Sequence, residues 1–323
     1  MTKVTVAIAS YNMENYLPAA IDSALAQDHD DVEILVVDDG STDDTREIVS
    51  RYERRVRYAY QENAGVANAY NRALELAKGD YVHFLDADDI LTPSTIGRLA
   101  ALLDEKPTAG LAHGDALVMN AAGEVYGTRG APASFHGRRL IPSAAAFKEL
   151  LRGCHITTSA LMLRKSVLDK VTPFRQKSVP GEDWDMWLRV AAEYDVAHLP
   201  ISACYYRVHD SSVTSAYTVE RVMRSHLYTL DTIFGNPTFR YAHLGDYAYA
   251  CLDRTMARVA ARARERRRFL GELRKALVRQ PSIAFEGATL ATVVDGLKAM
   301  VPVPVIRAAR RLRGGIATRM VSL

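Results

Sequence analysis

The feature that most limits how this chain can fold is the alternation of its first ninety residues between short β-branched runs and segments with helical apolar spacing. Lys3–Ala9, Val32–Val37, Val56–Tyr60 and Tyr81–Leu85 read as strands. Between them, Tyr16–Gln27 repeats apolar residues at Leu17, Ala20, Ile21, Ala24 and Leu25, and Val66–Lys78 is a helix stopped by Gly79. Ser41, with Asp44 three residues on, resembles a capping box and predicts a helix through about Tyr52. Strands alternating with helices of this length imply βαβ units. The expected fold is therefore α/β, a mostly parallel central sheet flanked by helices.

That topology brings residues together before any motif is considered. Ligands of open α/β sheets sit outside the carboxyl ends of the strands. Ser10-Tyr11-Asn12, Asp38-Asp39-Gly40 and Asp86-Ala87-Asp88 end three of the four proposed strands and should meet at one crevice. Carboxylates at i and i+2, as in Asp86-Ala87-Asp88, can serve one hard cation from a single turn, because oxygen donors suit Mg²⁺ and Mn²⁺. Taken alone, such a pair also simply ends a strand. Neither a P-loop nor a G-x-G-x-x-G is present to cradle phosphate.

Beyond Gly110 the pattern is mixed. Strands are expected at Leu111–Val118, Thr157–Leu163 and Ala197–Tyr206, and helices at Ala144–Leu151 and Trp184–Glu193. Glu182-Asp183 precedes the second helix, where carboxylates also favour the positive end of the macrodipole. Trp184 and Trp187 are the only tryptophans. Trp184, beside Asp183, could line an acceptor site, whereas Trp187 at helical spacing reads as core.

Several segments match one pattern in order and spacing. They are Ala9-Ser10-Tyr11-Asn12, Val36 to Thr45, Asn63-Ala64-Gly65, Ala77 to Asp89, and Gly181-Glu182-Asp183-Trp184. Together, over about residues 1–215, they resemble the family 2 glycosyltransferases. The resemblance implies a GT-A fold, a nucleotide-diphosphate sugar donor, a divalent metal and inversion at the anomeric carbon. It implies that Tyr11 lies against the nucleobase, that Asp39 accepts the imide N–H of uracil, and that Ala9 adds a backbone contact. Asp86 would face the ribose, Asp88 would ligate Mn²⁺ or Mg²⁺, and Asn71 would belong to the nucleotide-sugar site. Asp183 would be the general base and Glu182 would hold the acceptor.

His209 matches a position that often completes the metal or diphosphate site in that family, the alternative being a surface histidine. Tyr70 stands where many relatives carry Arg, and Val171-Thr172-Pro173-Phe174 replaces a Gly-Gly-Phe turn. The processive signature Q-x-x-R-W is absent, which points to transfer of a single sugar. The expected acceptor is a glycan or lipid-linked glycan of cell-surface polysaccharide synthesis. A sugar-nucleotide pyrophosphorylase would share the architecture but needs a Gly-rich N-terminal loop, which Ser10-Tyr11-Asn12 is not. An inactive scaffold of the same fold is the non-enzymatic alternative.

Composition adds location. Three widely spaced cysteines, Cys154, Cys204 and Cys251, form no C-x-x-C, and the N-terminus lacks the pattern of a signal peptide. A reducing, cytoplasmic setting is expected. The formal charge of +3 divides into −8 over residues 1–215 and +11 over residues 216–323. We therefore expect a catalytic domain over 1–215 and a basic helical region over 216–323. Its stretches Arg254–Lys275 and Val305–Leu312 mix arginines with apolar residues, as do helices at anionic membrane surfaces. A solvated helical bundle is the competing reading. No motif or aromatic interleaving suggests nucleic acid.

Overall fold

The computed structural model describes residues 2–209 and 217–300, which form two compact units, residues 1–241 and 242–323. The expected helix at Val305–Leu312, with Arg307, Arg310, Arg311 and Arg313, lies outside the described residues.

In the first unit β1 (Val4–Ser10), α1 (Leu17–Leu25), β2 (Val32–Asp38), α2 (Thr45–Ser50), β3 (Arg57–Tyr60), α3 (Val66–Leu76) and β4 (Tyr81–Asp86) follow one another as the alternation predicts. Then come β5 (Ile90–Leu91), α4 (Thr95–Glu105), β6 (Ala109–Asn120), β7 (Val125–Arg129), β8 (Leu140–Ile141), α5 (Ser143–Leu151), β9 (Leu161–Arg164), α6 (Glu182–Glu193), β10 (Asp195–Val208) and α7 (Val219–Phe234). Among the described residues the strands form one sheet in the order β3-β2-β1-β4-β9-β6-β10-β5, with β7 on β6 and β8 on β10. The β3-β2-β1-β4 run and the β6-β10 pair are parallel; β9, β7, β5 and β8 enter antiparallel. This is the expected mostly parallel α/β sheet.

Both faces are covered, so β1 and β4 read as near-continuous apolar runs rather than alternating ones. Leu17 and Ile21 of α1 pack with Ile96, Leu99 and Leu103 of α4 in one buried cluster. Phe84, Phe174 and Trp187 form an aromatic group with ring centroids 5.4 and 5.7 Å apart, and Trp187 is wholly buried as expected.

Two local expectations are corrected. Asp44, not Ser41, precedes α2, and the side chain that receives an N–H there is Asp43, from Thr45 at 3.1 Å. The expected strand Thr157–Leu163 begins as a 3₁₀ turn over Thr158–Ala160 and becomes β9 only at Leu161. That turn lets Ser159 Oγ accept the Asp86 N–H at 3.0 Å while its carbonyl meets His83 Nε2 at 3.1 Å. In the second unit, Arg254–Lys275 is two helices, α8 (Gly245–Arg262) and α9 (Arg266–Arg279), separated where Arg264 takes a positive φ of 61°. A 3₁₀ turn (Pro281–Phe285) leads to α10 (Gly287–Met300). Ala257, Ala260, Ala261 and Phe269 make this unit's core. Gly296 admits the Phe269 ring, since a Cβ there would sit 2.1 Å from Cζ.

Candidate functional site

The carboxyl ends of β1, β2 and β4 are level because Ala9 pairs with both Val37 and Asp86. Asn12 ties the first two loops together: its Oδ1 accepts the Thr42 N–H at 2.8 Å and its own N–H donates to Ser41 Oγ at 3.0 Å. Tyr11 stands beside this tie, 43% exposed. The adjacent aspartates then divide their work. Asp38 is buried and holds the turn, accepting from Ser41 N at 2.8 Å and Tyr58 OH at 2.6 Å. Asp39 accepts from Gln61 Nε2, Ala64 N and Gly65 N at 2.7, 2.9 and 2.9 Å, drawing in the loop before α3. Gly40 makes the close approach feasible, with φ at 81° and a would-be Cβ 2.6 Å from Asn63 N.

After β4 the chain turns sharply through four residues. Asp86 accepts a short hydrogen bond from the Tyr70 hydroxyl. Burial, reinforced by the neighbouring Asp88 charge, pushes its carboxyl up to about 7. Asp88 Oδ2 lies 2.9 Å from His209 Nε2, and His209, just past β10, is held against the Tyr16 ring. Asp89 points inward: one oxygen accepts the Arg207 N–H at 2.8 Å and the other is buried with no partner. Burial raises its carboxyl well above the usual range.

Among the described residues no three His, Cys, Asp or Glu side chains surround a common point suited to a metal. Asp88 and His209, which hydrogen-bond each other at 2.9 Å, are the oxygen and nitrogen donors that would hold a divalent cation here. That is the small protein contribution expected where substrate phosphates complete the shell.

The other wall begins at α6. Glu182 Oε2 accepts its neighbour Gly181's N–H at 3.0 Å, and burial together with the Asp183 charge pushes its carboxyl up to about 8. Asp183 Oδ1 accepts the Trp184 N–H at 2.7 Å, and Cys154 Sγ lies 3.8 Å from its Oδ2. Helix α7 leans on this corner: Ser225 Oγ donates to Pro180 O at 2.5 Å, and the His226 ring lies 4.5 Å from that of Trp184.

Both walls open on one cavity of about 610 Å³ lined by Ala9, Tyr11, Asp39, Asp86, Asp88, Glu182, Asp183 and Trp184. Three of the expected residues are engaged elsewhere in the fold. Asn71 is not among the lining residues: its amide donates to Phe174 O at 2.9 Å and accepts from Phe174 N at 2.8 Å, so it clasps a distant loop. Trp184 contributes to the wall but is 4% exposed, with Nε1 bound to Leu150 O at 2.7 Å and its ring against His226, so it offers little free face. His209 is not among the lining residues, and its Nε2 meets Asp88 Oδ2, which is on a lining residue.

Sequence reasoning gave no site role to Tyr70, Arg129, Cys154, Arg207 or Arg221, all of which line the cavity. Tyr70 was visible as a departure from relatives; the others are single residues in unremarked loops. Arg207 is fully employed, donating to the carbonyls of Asp88 and Ala121 at 2.8 and 3.1 Å.

Known proteins place this architecture. Residues 5–172 match the family model described as glycosyl transferase family 2. An uncharacterized glycosyltransferase of Nostoc sp. is 31% identical over 223 residues, 65% of this chain, and the match spans 66% of that relative's length, just under two thirds. The Escherichia coli UDP-Glc:alpha-D-GlcNAc-diphosphoundecaprenol beta-1,3-glucosyltransferase WfaP is 27% identical over 231 residues, 70% of this chain and 86% of its own. Among solved structures, S. aureus TarS 1–349 in complex with UDP-GlcNAc superposes with a TM-score of 0.66 at 20% identity, covering 92% of this chain and 89% of that one, and so shares the GT-A fold. With the family model matching more than half its length, the chain belongs to glycosyl transferase family 2.

Proposed function

We propose that this chain is an inverting glycosyltransferase that moves one sugar from a UDP-sugar to a hydroxyl of a glycan or lipid-linked glycan. The observation that carries the reading is the single cavity onto which Asp39, Asp86 and Asp88 open from strand ends and Asp183 opens from α6. WfaP, by its name, uses UDP-Glc and a diphosphoundecaprenol-linked acceptor, and TarS is solved with UDP-GlcNAc, which supports a uridine donor and a lipid-linked acceptor.

In this reading Tyr11 offers its exposed ring to the base. Asp39 Oδ1 already accepts from Gln61 and Ala64, so Oδ2, which accepts from Gly65, offers its second lone pair to the uracil N–H, and the Ala9 backbone and Asp86 border the ribose. Asp88 and His209 are the protein ligands of a divalent cation, and a mixed oxygen and nitrogen pair suits Mn²⁺ better than Mg²⁺. Such a cation, when bound, offsets the charge gained by the diphosphate as the anomeric bond breaks. The acceptor hydroxyl gives its proton to Asp183 as its oxygen bonds to the anomeric carbon from the face opposite the departing UDP. Glu182, protonated at neutral pH, donates a hydrogen bond to the acceptor. Assaying UDP- and GDP-sugars for metal-dependent hydrolysis tests the donor: turnover confined to UDP-sugars is expected, and turnover of GDP-sugars alone would overturn it.

A cytoplasmic enzyme at the inner membrane face would meet such an acceptor. The second unit supports this placement by exposing Leu270, Val278, Phe285, Leu290 and Leu297 among its arginines. Among the described residues no helix is long and apolar enough to cross a membrane. Removing residues 242–323 should release the protein from phosphatidylglycerol vesicles; unchanged co-sedimentation refutes the surface role.

A further inference from the structure

We propose that Arg129 and Arg221 form an anion subsite that receives a phosphate carried by the acceptor. The inference rests on the transferase reading and adds a substrate class to it. Both arginines line the cavity, and among the described residues neither pairs with a carboxylate, whereas Arg57, Arg152 and Arg189 of the same unit do.

Their placement selects the acceptor side. Arg129, at the end of β7, donates through Nη2 to Cys154 O at 3.1 Å, and Cys154 Sγ in turn reaches Asp183. Its guanidinium also lies over the Tyr206 ring, 5.8 Å from the centroid, while the residue lines the cavity. Arg221 sits in the first turn of α7, where Thr218 Oγ1 caps its backbone N–H at 3.3 Å, and its guanidinium lies over the Tyr217 ring at 4.5 Å. One turn further along, α7 packs on the start of α6 through the Ser225–Pro180 and His226–Trp184 contacts. Arg129 thus reaches the proposed base through Cys154, and Arg221 stands on the helix that packs beside it.

A neutral sugar hydroxyl supplies no charge to offset two guanidiniums. A phosphate does, and the planar fork of arginine matches its oxygens in pairs. The phosphate can come from a lipid diphosphate or from a polyol phosphate polymer.

The test uses the full chain with three acceptors: N-acetylglucosamine on an alkyl diphosphate, the same sugar as a phosphate-free alkyl glycoside, and poly(ribitol phosphate). Arg129→Gln and Arg221→Gln should each raise KM at least about tenfold for one phosphate-bearing acceptor, with donor KM and glycoside KM moving less than about twofold. Which of the two phosphate acceptors responds identifies the source. Arg129→Lys should recover part of the loss, and Arg274→Gln in the second unit controls for net charge. An equal KM rise for the glycoside, or a rise in donor KM instead, overturns the subsite. Titration of the alkyl diphosphate without donor separates the two claims. Binding weakened by Arg129→Gln, in a protein that transfers from no nucleotide sugar, keeps the subsite and sinks the transferase reading; transfer with an unshifted acceptor KM does the reverse.

Discussion

On the wall made by β1, β2 and β4, each carboxylate lies within a few residues of the strand that carries it, and backbone pairing sets its position. On the wall made by α6, the groups come from four separate stretches, at Arg129, Cys154, Glu182-Asp183 and Arg221. They are held by single contacts such as Arg129 to Cys154 O and Cys154 to Asp183. The contrast teaches where robustness lies. The strand-end wall is part of the fold, so damaging it should cost stability, whereas the α6 wall can lose chemistry while the fold stands.

The largest effect should come from the second wall. Asp183→Asn keeps the size of the side chain but removes the proposed proton acceptor, and transfer should fall by about 10²–10⁴-fold with donor affinity retained. Full activity in this variant would break the assignment. On the first wall, Asp39→Ala frees Gln61, Ala64 and Gly65 together and should lower stability by about 1.5–3 kcal/mol, read from the urea midpoint. If the midpoint does not move, the loop before α3 does not depend on Asp39.

A pH dependence comes last. Burial raises the Glu182 carboxyl from its ordinary 4.5 to about 8 in the folded state. Between those values the unfolded chain has released the proton and the folded chain retains it, so Glu182 lowers stability as pH rises through that window. Glu182→Gln should flatten this part of the stability profile. An unchanged slope would mean that Glu182 is ionised in the folded protein at neutral pH.

How much could be read from the sequence follows the same division. The βαβ order, the level strand ends and Asp86-Ala87-Asp88 were legible because their positions depend on near neighbours. The fate of Asn71 was not, since Phe174, 103 residues away, takes both ends of its amide. Trp184 looked free beside Asp183, yet Leu150 and His226, from two other helices, cover it. The 3₁₀ turn before β9 depends on Ser159 meeting β4, a contact that no local apolar pattern records. Arg129 and Arg221 carry no motif, and only the folded chain brings them to the same cavity as Asp183.

The central claim is a metal-assisted UDP site built on Asp88. Calorimetric titration of UDP into the wild-type chain and Asp88→Asn, each with and without Mn²⁺, tests it most directly. Wild-type binding should strengthen with Mn²⁺ and that gain should be lost in Asp88→Asn; the same Mn²⁺-dependent binding in both proteins would contradict the role of Asp88.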